Sequence, residues 1–320
     1  MPQTPVSRLT RRHRVVFAAF LCAVFASPMV SPVVRVEAAD TAPRVVASIA
    51  PIHALVSAVM EGVGAPYLLV PPGVNAHGYA MRPSDARALA NADFVFWVGA
   101  GFERFLDKPL KGGARRARNV RLSGYIQGLP VREGGAWGGH DDHTNSGVHE
   151  IDPHVWLDPD NAKRIAAEIA KRLSAFDVRN SSVYERNETA LAVSIDETAR
   201  DVENILAPVK MVPYVVFHDA YQYFEARFDL NPVGSVMTNP ERRPGAARIA
   251  DVRRKIRDTG AVCVFHEPQF RPKLVETVIR GGAAKSAPLD PIGVMITPGP
   301  RAYQKLLLSL AGQLRTCLAR

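Results

Sequence analysis

Cysteine is scarce. The 320-residue chain holds three, and Cys22 lies in an apolar N-terminal stretch, so Cys263 and Cys317 are the two left for the rest of the protein. In an oxidising compartment two cysteines most simply form one disulfide, here joining a strand at 261–265 to the C-terminal helix; two buried free thiols are the alternative. Long apolar runs are also lacking. Beyond the N-terminus no segment is apolar enough to cross a membrane. There is no P-loop, so any ATP chemistry belongs to a partner, and no HExxH zinc-protease motif. Lys and Arg are scattered without interleaved aromatics, which gives no support to a nucleic-acid partner. The two halves show no quotable sequence repeat.

What is present begins with an export signal. Arg8, Arg11, Arg12 and Arg14 precede an apolar stretch from Val15 to Ala26, then Pro28 and a small-residue site at Val36-Glu37-Ala38. This pattern predicts a signal peptide over 1–38, cleaved near Ala38 or Ala39, with an N-terminal membrane anchor as the alternative. The 1–38 segment holds five Arg and one Glu, so its removal takes the formal charge from +9 to +5. Composition is otherwise that of a soluble globular protein, 47% hydrophobic and 22% charged, with length for two cores.

Apolar runs and helical patterns then alternate, the mark of parallel sheets wrapped by helices. Strands are expected at 45–49, 67–70, 93–98, 214–217, 261–265 and 284–289. Helices are expected at 52–60, 82–90, from Asp158-Pro159 through Leu173, and at 182–206, 221–228, 246–259, 272–280 and 303–318. The expected fold class is α/β, with two lobes, each a mostly parallel sheet flanked by helices, joined by a long rigid helix. The lobes are assigned to 39–180, with a polar His/acid loop at 133–151, and 209–320; the linking helix is assigned to 181–208, long enough to span over about 30 Å.

Three of the nine histidines fall where such a fold binds ligands, outside the carboxyl ends of strands. His77 follows 67–70, His218 directly follows 214–217, and His154 ends an irregular stretch before a capped helix. Neutral imidazole is the commonest metal ligand, and three of them favour zinc over oxygen-seeking cations. The bland alternative is three unrelated histidines. Asp290, after 284–289, is the candidate fourth ligand; a turn carboxylate before Pro291, with water at the metal, is its alternative. Asp158, Asp219 and Glu267 are candidates to orient imidazole N–H groups, or else caps and surface charges. His140, His143 and His149, with Asp141, Asp142 and Glu150, form a tract that would hold a second metal weakly, hand metal to the main site, or simply be solvated. His53 and His266 read as structural, and Trp156 as a packing residue.

Several stretches are long enough to carry a resemblance: His77-Gly78-Tyr79-Ala80-Met81-Arg82-Pro83-Ser84-Asp85, Asn91-Ala92-Asp93 with Trp97-Val98-Gly99, His154-Val155-Trp156-Leu157-Asp158-Pro159, the run from Val216 to Phe224, the run from Cys263 to Pro272, and Leu289-Asp290-Pro291. Together they resemble the periplasmic zinc-binding proteins of bacterial ABC importers, the ZnuA type of metal-binding solute receptor. The resemblance implies two α/β lobes joined by a long helix, zinc ligands at His77, His154 and His218, and a disulfide between Cys263 and Cys317. Two departures stand out. Ala76 occupies a position where some members carry a glutamate ligand, which moves the fourth ligand to Asp290 or water. The His-rich loop is shorter and sparser than is common. Manganese-binding relatives tend to place a carboxylate at the third position, so His218 argues for zinc. The expected function is a non-enzymatic, monomeric periplasmic receptor delivering Zn(II) to the membrane permease of an ABC importer. A manganese or iron receptor on the same fold, or a secreted zinc hydrolase with water as fourth ligand, are the alternatives.

Overall fold

The central strands form because they are apolar on both faces. Val45–Ala47 (β1), Phe94–Trp97 (β3) and Tyr214–His218 (β5) are buried at every position, as expected of parallel strands covered by helices on both sides. The structure, a computed structural model, describes residues 42–112, 117–132, 150–237, 240–241 and 244–319. The expected signal peptide and the tract holding His140, His143 and His149 lie outside these residues.

The first lobe adds Tyr67–Leu68 (β2) and Arg118–Arg121 (β4) to give a parallel sheet of order β2-β1-β3-β4. The second lobe adds Pro232–Met237 (β6), Cys263–His266 (β7) and Lys285–Pro288 (β8), in order β6-β5-β7-β8, again all parallel. The two orders are the same, so one topology is used twice without a visible sequence repeat. In each sheet the strand order reverses at the first strand, which places a ligand crevice at that carboxyl edge.

The helices are Ala50–Val59 (α1), Pro83–Asn91 (α2), Arg104–Gly112 (α3), Pro159–Phe176 (α4), Ser181–Leu206 (α5), Gln222–Arg227 (α6), Ala246–Thr259 (α7), Lys273–Ile279 (α8) and Ala302–Leu318 (α9). Helix α5 has 26 residues, about 39 Å at a rise of ~1.5 Å per residue. Its buried positions, Tyr184, Leu191, Ile195, Thr198, Ala199, Val202 and Leu206, form one stripe. That stripe packs on α1, α4 and α9, and the resulting core is continuous from Val45 of the first sheet to Phe265 of the second. Separate clusters back each sheet on its outer face, α2 and α3 in the first lobe and α7 and α8 in the second. Cys263 on β7 and Cys317 on α9 form a disulfide with Cα atoms 6.2 Å apart.

Three elements differ from the sequence reading. Strand β4 was not among the expected strands, since Val120 is its one buried residue. Helix α3 was not expected, because Pro109 and the charged residues around it obscure an apolar stripe of Leu106 and Leu110. Strand β6 was not expected either. Gly234 and Ser235 interrupt its apolar run, yet residues 234–237 are buried beside β5.

Candidate metal centre

His77 sits in the loop between β2 and α2, where no regular structure fixes the chain. The loop is held by Asp85 in the first turn of α2, a carboxylate with 0% exposure. It accepts from the hydroxyls of Tyr79 (2.6 Å) and Tyr67 (2.8 Å), from the Arg82 backbone N–H (2.7 Å) and from its guanidinium (3.1 Å). Burial alone would raise the Asp85 pKa, but the donors of Arg82, Tyr79 and Tyr67 hold it well below the usual carboxylate range. Nearer the ligand, the His77 N–H donates to Asn75 Oδ1 at 3.0 Å. The ring itself lies against Phe102, with centroids 4.3 Å apart.

Phe102 is delivered by a turn at the end of β3. Gly99 has φ +147°, and a Cβ there would meet Ser123 Oγ at 3.0 Å and Arg121 Cδ at 3.2 Å, so the position requires glycine. Buried Glu103 closes this turn, accepting from Val98 N–H (3.1 Å), Gly99 N–H (2.9 Å) and Ser48 Oγ (2.5 Å). Burial pushes its pKa up to about 7 against those donors.

His154 precedes the single turn Val155–Leu157 that leads into α4. Asp152 Oδ1 accepts from its backbone N–H at 3.0 Å and lies 2.8 Å from its Nδ1. His218 is the last residue of β5, and its Nδ1 pairs with fully buried Glu267, which follows β7. Carboxylates therefore hold both Nδ1 atoms, which leaves both Nε2 atoms for a ligand and raises their basicity. Those two Nε2 atoms are 3.3 Å apart. A tetrahedral ion with Zn–N bonds of about 2.0–2.1 Å needs its nitrogens about 3.3–3.4 Å apart. The ring of His77 completes the group, 5.5 Å centroid to centroid from each of the other two. One nitrogen from each of the three rings lies within 4.8 Å of the others.

The electrostatics differ around the ring of three. Burial, and then the neighbouring His154, His218 and Arg104, push the His77 pKa down to about 2, so this imidazole is neutral and offers its lone pair. Burial also disfavours a charged His218, but Glu267 outweighs it and raises that pKa. All three rings face a cavity of about 190 Å³ between the lobes, whose wall also includes Arg104, Arg132, Asp219 and Glu241.

Of the four candidate ligands, the structure brings the three histidines together and leaves Asp290 out of the group. Asp290 is a turn carboxylate: Oδ1 accepts from Gly293 N–H (2.9 Å) and Ile292 N–H (3.2 Å), just past Pro291. Among the candidate orienting acids, Glu267 reaches a ligand. Asp158 instead caps α4 by accepting from Asp160 N–H at 2.9 Å, and Asp219 pairs with Arg132. Asp152 was missed by the sequence reading, although its place two residues before His154 was a usable signal. His53 is buried with Nε2 3.2 Å from the Pro66 carbonyl, and Trp156 is buried with Nε1 donating to the Pro291 carbonyl at 2.8 Å; both are structural. His266 is half-buried beside Ser286 Oγ, 3.0 Å from its Nδ1.

Comparison with known proteins shows the family and the fold. The family described as zinc-uptake complex component A, periplasmic, matches residues 45–317. A high-affinity zinc uptake system protein ZnuA from Brucella suis biovar 1 (strain 1330) is 42% identical over 307 residues, covering 86% of this chain and 92% of that protein. The protein of the same name from Yersinia pestis is 36% identical over 289 residues, covering 86% and 91%. A crystal structure of ZnuA superposes with a TM-score of 0.75 at 24% identity, covering 87% of this chain and 100% of that one; at that identity the likeness concerns the fold.

Proposed function

The chain belongs to the zinc-uptake complex component A family, and on that premise we propose that it is a periplasmic receptor that binds Zn(II) through His77, His154 and His218 and hands it to the membrane permease of an ABC importer. The observation that carries this reading is the convergence of three imidazole nitrogens within 4.8 Å, two of them at the edge length of a zinc tetrahedron. Nitrogen donors in tetrahedral array suit zinc better than manganese or magnesium. Each imidazole would give the ion one nitrogen lone pair, and the ion's two charges are balanced by Asp152 and Glu267 on the far nitrogens of His154 and His218. Water takes the fourth position, since Asp290 is spent on its turn.

Binding and release, rather than hydrolysis, suit these residues. The carboxylates on His154 and His218, Asp152 and Glu267, are engaged by ring nitrogens and are poorly placed to take a proton from water. Release requires the ring of three to open. Helix α5 packs against helices of both lobes, which favours small lobe tilts and loop movements over a wide hinge. The segment 1–38 directs export and is removed, and the mature chain acts as a monomer beside its permease.

The test is a competitive metal titration of residues 39–320, wild type beside His77→Ala, His154→Ala and His218→Ala. Zinc is expected to outcompete manganese, and each substitution to weaken zinc binding by more than about 100-fold. Tighter manganese binding, or three substitutions without effect, would overturn the reading.

A further inference from the structure

Two walls of the cleft are tied together by one side chain that the ligand set does not include. Residues 129–132 and 150–152 pair as a short antiparallel ribbon: Val131 N–H donates to the Glu150 carbonyl (2.8 Å) and Asp152 N–H to the Leu129 carbonyl (2.9 Å). One segment of this ribbon ends in Asp152, the acid that holds His154. The other ends in Arg132. The Arg132 guanidinium crosses to the second lobe and grips Asp219 at two points, Nε to Oδ2 (3.2 Å) and Nη2 to Oδ1 (2.5 Å), with Nη2 also 2.6 Å from Glu225 Oε2. Asp219 directly follows His218. Glu225 is buried on α6 and accepts as well from the Tyr214 hydroxyl at 3.2 Å.

The same helix secures the ribbon from a second point. The Tyr223 hydroxyl donates to the Asp152 carbonyl (2.9 Å) and accepts from Leu129 N–H (2.9 Å). The segment carrying His154 is thus bonded to the lobe that carries His218, and the charged part of that attachment is Arg132.

We propose that Arg132 is a positioning residue that clamps the wall bearing His154 to the wall bearing His218, and thereby slows loss of the metal ion. This rests on the three-imidazole reading above. Removing the ion by spreading these two ligands requires breaking a guanidinium held by two carboxylates, in a site where water replaces those bonds poorly. The ion enters the cleft before the clamp closes, so the clamp acts on the dissociation rate more than on association. Lysine would meet one carboxylate at a time as a point charge, without the planar fork.

Stopped-flow release of zinc into excess chelator, with association measured separately, tests this on residues 39–320 as wild type, Arg132→Gln and Arg132→Lys. The partly exposed pair Lys163–Asp196, which joins α4 to α5 and does not line the cleft, supplies the control Lys163→Met. Release is expected about tenfold faster or more in Arg132→Gln and intermediate in Arg132→Lys, with association within about threefold of wild type and the control unchanged. Wild-type release in both Arg132 variants would overturn the clamp, as would an association rate that falls as much as release rises. If Arg132→Gln does not fold, Arg132→Lys decides alone: faster release supports the clamp and a wild-type rate refutes it. His154→Ala, run alongside, separates the two ideas. Retention of full zinc affinity there removes the three-imidazole site and the clamp with it, whereas loss of zinc there together with unchanged Arg132 variants removes the clamp only.

Discussion

His154 and His218 are held by their rings, while His77 is held by its backbone. Each of the first two has a carboxylate on Nδ1. Among the described residues no hydrogen bond reaches the His77 ring, which rests on Phe102 while Asp85 and Asn75 shape its loop. The difference teaches that two of the three rings are oriented by carboxylates. On the proposed reading, Asp152 and Glu267 aim His154 and His218 at the ion, and the His77 imidazole on its loop completes the site. Such a division allows tight binding without making release impossible, because one ligand moves without disturbing the other two.

Substitutions can break that comparison. The largest effects are expected from His154→Ala and His218→Ala, which remove a ligand and strand a buried carboxylate. Zinc titration should show losses beyond about 100-fold, exceeding the loss for His77→Ala. A larger loss at His77 would reverse the proposed division. Next come the orienting acids: Glu267→Gln and Asp152→Asn should each weaken zinc binding by about 10–100-fold in the same assay. Equal binding to wild type would mean that the carboxylates only fill space.

Asp85→Asn should act on the other side of the comparison, through the loop. The Asp85 carboxylate is held below its ordinary pKa of 3.8, so the stability it contributes is complete above that pH and is lost as the pH falls through the lower folded-state value. Denaturant unfolding of the zinc-free protein should therefore show a loss of about 1–3 kcal/mol for Asp85→Asn at pH 7 that shrinks in strong acid. Cys317→Ser should cost about 2–4 kcal/mol of stability with little change in zinc affinity, because the staple lies between β7 and α9, away from the cleft. The smallest effect is expected from Asp290→Asn, within about threefold of wild-type zinc affinity, since a turn acceptor remains; a drop of orders of magnitude would return Asp290 to the ligand set.

The fold was legible in the sequence wherever strands are buried on both faces. Val45–Ala47 and Tyr214–His218 stand out as apolar runs, and the stripe on α5 fixes a long helix. Strand β6 and helix α3 were not legible, because Gly234, Ser235 and Pro109 contradict local propensity and tertiary packing overrides it. In the site, the three histidines were legible from their places after strands and before a capped helix. The surroundings of Asp290 were less legible: a position past a strand end puts a residue near the cleft but does not say where its carboxylate points, and backbone N–H groups at 292 and 293 bond to it. Arg132 left no signal at all. Its partners Asp219 and Glu225 lie 87 and 93 residues away in the chain, and only the folded ribbon brings them together.

X-ray absorption at the zinc edge, on metal-loaded residues 39–320, tests the central claim most directly. Three imidazole nitrogens and one oxygen at about 2.0–2.1 Å are expected, with one imidazole lost from the signal in each histidine variant that still retains metal. A first shell with fewer than two imidazoles, or one dominated by carboxylate oxygens, would contradict it.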